Sequence, residues 1–113
     1  MKKSQMFIYQ VAPNETVTIR ITPSISLGNQ YDAVLDNTDL DRPANGIYTF
    51  PVTKPVGKIH FFNIEFGFLG APEGAQYGIE INGNAPNNEG PFTLSLINGD
   101  PLLDMQFKFE VVN

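Results

Sequence analysis

A chain of 113 residues suits a single domain, 1–113, long enough to bury about 65% of its unfolded surface in one core. It has no cysteine, which excludes disulfides and thiolate metal sites. Twelve acidic residues against seven basic ones give a net charge of −5, and only Lys2 and Lys3 adjoin, which argues against nucleic acid, because phosphate recognition needs clustered cations.

No window approaches 18 consecutive apolar residues, so no membrane-spanning helix is expected. Met1-Lys2-Lys3 is basic like the start of a signal peptide, but the residues that follow are too polar for an apolar leader core. The compartment is open between cytoplasm and export.

Taken in order, Ser4–Val11 predicts a first strand, with Phe7, Tyr9 and Val11 on one face and Met6 and Ile8 on the other. Pro13-Asn14 turns the chain. Thr16–Thr22 alternates, with Val17, Ile19 and Ile21 inward and Thr16, Thr18, Arg20 and Thr22 outward. After Pro23 and Gly28-Asn29, a short strand runs from Tyr31 to Leu35. Asp36–Asn45 reads as a loop rich in aspartate. Gly46–Val52 is a strand containing Pro51, which lacks a ladder donor and belongs at an edge or a strand end.

Lys58–Leu69, KIHFFNIEFGFL, has the densest aromatic and β-branched content of the chain. Phe62, Ile64, Phe66 and Phe68 form one unbroken apolar row. The other row starts apolar at Ile59 and Phe61 and turns polar at Asn63 and Glu65. An interior strand is expected, buried on one face throughout and on the other at its start, with a bulge or bend at Gly67. Gln76–Asn82 and Phe92–Ile97 alternate in the same way, separated by the loop Asn82–Pro91. Met105–Val112 ends the chain with Met105, Phe107, Phe109 and Val111 inward.

About eight antiparallel strands and no helical period predict an all-β domain. The expected form is a two-sheet sandwich of immunoglobulin-like or jelly-roll type, with a small closed β-barrel as the alternative.

Four groups of residues are candidates for chemistry. Asp36, Asp39 and Asp41, with Asp32, Asn37 and Asn45 nearby, supply the oxygen donors that calcium takes. They do not follow the EF-hand spacing, and turn formation with Arg42 as counter-charge explains them equally. Asn84, Asn87, Asn88 and Glu89 in the long loop, with the rings of Tyr48, Tyr77 or Tyr31, suit carbohydrate: amides bond hydroxyls while a ring stacks on the sugar. A plain hairpin connection is the competing account. His60 is the sole histidine and lies on the apolar row of its strand, the position of a hydrogen-bonded core-edge residue rather than a general base. The serines sit in no nucleophile motif. Glu65 and Glu80 occupy comparable outward positions on strands expected to be neighbours, where two carboxylates would serve a glycosidase.

Asn14-Glu15-Thr16 is a glycosylation sequon with no further support. The expected function is a non-enzymatic interaction or structural module, working through loops or a sheet edge on a protein partner or a second copy. A carbohydrate-binding module with structural calcium is the alternative and a small hydrolase the third. No cofactor other than calcium is expected.

Overall fold

Strand β6, Ile59–Gly67, is the middle of a five-stranded sheet, and its inward row Phe62, Ile64 and Phe66 is buried to the last atom or nearly so. The computed structural model describes residues 3–23, 30–68, 75–82, 92–95 and 102–113, with backbone alone at 3–5, 92–95 and 102–103. Nine strands lie among them. In chain order they are β1 (Lys3–Val11), β2 (Thr16–Pro23), β3 (Tyr31–Leu35), β4 (Thr38–Leu40), β5 (Ile47–Pro51), β6, β7 (Gln76–Ile81), β8 (Phe92–Ser95) and β9 (Leu102–Val111).

One sheet runs β1-β9-β6-β3-β4 and the other β5-β2-β7-β8. Both are open, so the architecture is a sandwich rather than a closed barrel. The two inner faces supply a single core that includes Val17, Ile19, Ile79, Ile81, Phe107 and Phe109. Aromatic contacts knit the layers: Phe50 of β5 meets Phe109 of β9 edge-on at 5.5 Å, and Tyr48 meets Phe62 at the same distance. Each such buried side chain contributes roughly 1.5–3 kcal/mol through removal of apolar surface from water.

Three features depart from the sequence reading. The chain's first and last strands pair in parallel, Lys3 opposite Leu103 through Val11 opposite Val111, where an antiparallel sheet was expected. Period-2 alternation reports which face is wet, not which way the neighbour runs, and no short hairpin joins these two strands to force reversal. The aspartate loop holds a ninth strand. Asp36 and Asn37 take φ of 48° and 68°, the left-handed pair of a two-residue type I′ turn, and fold Thr38–Leu40 back onto Ala33–Leu35. Third, Phe61 lies outside. The expected two-sided burial at the start of the central strand is absent there, because nothing among the described residues covers the outer face of this sheet.

The expectation for Pro51 holds: it ends β5, and β5 is an edge. The bulge expected at Gly67 is absent, because β6 stays in unbroken register with β9 up to Gly67 opposite Leu102, where the strand ends. The Gly67 N–H donates to the Gln30 carbonyl at 2.6 Å, and a Cβ there would crowd Gln30 at 3.2–3.3 Å.

Gly46 precedes β5 at φ +73°, and a Cβ on it would sit 2.6 Å from the backbone oxygen of Ile21. Gly46→Ala therefore combines a left-handed backbone with a backbone clash. We expect a loss of about 2 kcal/mol or more, read as a lowered urea midpoint at unchanged slope. A change under about 0.5 kcal/mol, the size of a neutral surface substitution, would contradict the close approach.

Candidate functional site

The outer face of the five-stranded sheet is built from every second residue of four neighbouring strands. Pairing in register makes rows across the sheet. Met6 of β1 lies opposite Gln106 of β9, which lies opposite Asn63 of β6, which lies opposite Val34 of β3. One step along the strands, Ile8, Lys108 and Phe61 form the next row. One step the other way, Asp104, Glu65 and Asp32 are adjacent on three strands. Met6 is 54% exposed, Ile8 61% and Phe61 36%, an unusual amount of apolar side chain for one side of a sheet.

Charge is divided along the strands. Lys54 and Lys108 each place an ammonium under 6 Å from the centroid of the Phe61 ring, the arrangement of a cation held over an aromatic face. The opposite end carries the three carboxylates, with Arg42 bridged to Asp32 at 3.2 Å. Between them is a concavity of about 650 Å³, lined by Met6, Val34, Asn63 and Gln106 with the acidic row at its end. The outer face of the four-stranded sheet differs: among its described side chains the exposed ones are Thr16, Arg20, Thr22, Thr49, Pro51, Gln76 and Glu80, polar apart from the proline at the β5 edge.

The start of β6 is fixed by a buried polar cluster. Asp36 sits in the β3–β4 turn and receives the Phe61 N–H on Oδ1 at 2.8 Å and the Lys54 ammonium at 3.2 Å. Its Oδ2 lies 2.6 Å from His60 Nδ1. The Thr53 N–H donates to His60 Nε2 at 3.2 Å. Nε2 must therefore present a lone pair, and the proton rests on Nδ1, directed at Asp36. His60 is 3% exposed, and both of its ring nitrogens are engaged within the fold. This is the hydrogen-bonded core-edge role read from its position on the strand. Burial raises the Asp36 carboxyl, but the bonds from Phe61, His60 and Lys54 outweigh it and hold the group below the ordinary carboxylate range.

The residues singled out in the sequence are dispersed. Asp36 is committed to the cluster just described, while Asp39 on β4 and Asp41 beyond it are exposed. Among the described residues no group of three or more histidines, aspartates or glutamates is placed to hold a metal ion, so Asp36, Asp39 and Asp41 do not converge. A cation at Asp36 would have to displace the donors on both of its oxygens. Tyr48 and Tyr77 are core residues, 5% and 0% exposed, so neither ring offers a face to a sugar. Tyr77 donates to the Gly67 carbonyl at 2.8 Å, and Tyr31 is buried beside both. Burial pushes the hydroxyls of Tyr48 and Tyr77 up to about 12. Asn84, Asn87 and Asn88 lie outside the described residues. Glu65 and Glu80 are not neighbours. β6 and β7 belong to different sheets, and the two carboxylates point from opposite outer faces of the sandwich. Sheets alone stack about 10 Å apart, so this pair cannot flank one glycosidic bond.

Sequence reasoning missed the face itself. Its signal was present: Met6, Ile8 and Phe61 are large apolar residues at positions that alternation assigned to the second side of their strands. Recognising them required knowing that β1, β9 and β6 are adjacent, which no local pattern tells.

No family model matches this chain, and neither does any curated protein or solved structure.

Two outcomes follow from the buried polar groups. Asp36→Asn should cost about 2–3 kcal/mol at pH 7, the range of hydrogen bonds to a charged group. A folded-state pKa below the unfolded one gives stability that is present above about pH 4 and is lost as pH falls through the depressed value. The gap between wild type and Asp36→Asn should therefore close on acidification, as measured by urea unfolding at constant ionic strength. A gap independent of pH would contradict the assignment. The Tyr48 hydroxyl is buried and has no hydrogen-bond partner among the described residues. Tyr48→Phe removes only that oxygen and should raise stability by about 1 kcal/mol in the same assay, since the cost of an unsatisfied buried group is relieved.

Proposed function

We propose that this chain is a non-enzymatic interaction module whose working surface is the outer face of the five-stranded sheet. One observation carries the reading. Met6, Ile8 and Phe61 are exposed together on one face, while the described exposed side chains on the outer face of the second sheet are polar apart from Pro51 at the β5 edge. Covering a large apolar side chain contributes roughly 1.5–3 kcal/mol, and a folded chain gains nothing by leaving three of them in water on one face, Ile8 and Phe61 on either side of Lys108. The β1 strand bounds this face as an open edge nine residues long. The opposite edge, β4, has only three residues, and β5 ends in proline, the devices that ordinarily blunt an edge. The arrangement of possible catalytic groups supports a binding role: the histidine is bonded at both nitrogens, and the two candidate glutamates face apart. Among the described residues no helix is long and apolar enough to cross a membrane.

A second reading keeps carbohydrate as the ligand of the same concavity. The amides of Asn63 and Gln106 in its lining, one row along the strands from the part-exposed ring of Phe61, are the specific observation that favours it. This reading predicts that a glycan array yields ligands whose binding is lost in Asn63→Ala. An array without hits removes it.

The interaction reading separates stability from binding. The triple variant Met6→Glu, Ile8→Lys, Phe61→Ser should stay folded with a loss of about 2 kcal/mol or less, most of it from the covered part of the Phe61 ring. It should also lose the partners that the wild-type chain retains when immobilised. A variant that unfolds, or one that keeps the same partners, would contradict the proposal.

A further inference from the structure

We infer that the partner seated on this face is a second copy of the chain, docked face to face with its strands antiparallel to the first. The inference rests on the interaction reading above and names its occupant. Its basis is that the face is complementary to itself. Along the strands, the row of Asp32, Glu65 and Asp104 stands four residues from the row of Phe61, Lys108 and Ile8, with Met6, Asn63 and Gln106 midway. Rotate one copy by 180° about an axis that lies in the interface and crosses the strands at that middle row. Lateral positions are kept and the strand direction reverses. Asp104 then stands over the partner's Lys108, both being on β9. Glu65 stands over the partner's Phe61, the ring that two ammonium groups flank. Met6 meets the partner's Met6 at one end of the middle row and Val34 meets the partner's Val34 toward the other, with the amides of Gln106 and Asn63 between them and opposite charges on β9 to either side. The alternative two-fold axis, parallel to the strands, stacks acidic row on acidic row and is disfavoured by like-charge repulsion.

Size is consistent with such a contact. Four strands about 4.8 Å apart and three rows about 6.8 Å apart present roughly 400 Å² per copy. The total of about 800 Å² is below that of a standard specific interface and suits a weak, transient dimer. β4, whose exposed Asp39 continues the middle row beyond Val34, marks the lateral limit of the contact.

The test is sedimentation equilibrium of the full chain from about 10 μM to 1 mM, with thermal melts confirming that every variant folds. Wild type should show reversible dimerisation. Lys108→Glu alone and Asp104→Lys alone should each weaken it about tenfold or more, as charge reversal at a paired contact does. The double variant, which exchanges the two charges within each copy, should return to within about threefold of wild type. A wild-type chain that stays monomeric at 1 mM overturns the second copy as occupant. The triple-variant experiment on heterologous partners would still decide the interaction reading. A dimer indifferent to both reversals also overturns the arrangement and moves the contact elsewhere, first to the β1 edge. Failure of the double variant to recover denies the Asp104–Lys108 pairing and with it the antiparallel docking.

Discussion

The two faces of β6 impose the organisation of the whole molecule. Its inward residues, His60, Phe62, Ile64 and Phe66, are all buried, and they force a second sheet to close over them. Its outward residues, Phe61, Asn63 and Glu65, lie along the sheet face that leaves Met6, Ile8 and Phe61 in water. Strand period ties these together: a slip of one residue would exchange the rows and put Phe62 and Phe66 outside. Asp36 holds the register at the strand's start. It accepts the Phe61 N–H and meets His60, while the Asp36 N–H donates to the Phe61 carbonyl at 2.8 Å. A turn residue 25 positions earlier in the chain thus pins the first residues of the central strand.

The strands and the sandwich were legible because each inward row is apolar without interruption. Val17-Ile19-Ile21, Tyr77-Ile79-Ile81 and Met105-Phe107-Phe109-Val111 all fell on the buried side, as alternation predicts. His60 was legible for the same reason, as a polar residue at the end of an apolar row. The direction of β1 was not, since alternation is blind to parallel and antiparallel neighbours. The turn at Asp36-Asn37 was read as part of a loop, because aspartate and asparagine serve loops and left-handed hairpin turns alike. A pair tolerant of positive φ between YDAVL and TDL was the available signal.

The tyrosine rings and the glutamate pair were misplaced for a different reason. Tyr48 and Tyr77 were read as ring platforms on their residue type, yet each lies on the inward row of its strand, and that periodicity outweighs any chemical preference. Glu65 and Glu80 were paired by assuming that successive strands are adjacent. Here the chain crosses between sheets from β6 to β7, so nearness in sequence becomes opposition in space. Function on a sheet face depends on cross-strand neighbours. A row such as Ile8-Lys108-Phe61 joins residues about fifty and a hundred positions apart and has no local signature.

The central claim is that the outer face of the five-stranded sheet docks a second copy of the chain. Its most direct measurement is a dilution series followed by two-dimensional amide NMR on the isotope-labelled chain, from millimolar to low micromolar. The account predicts concentration-dependent shifts at Met6, Ile8, Phe61, Asn63, Gln106 and Lys108. The amides of Thr16, Thr18, Arg20 and Glu80 on the opposite face should hold still. Shifts confined to that opposite face, or spectra that do not change with dilution, would contradict it.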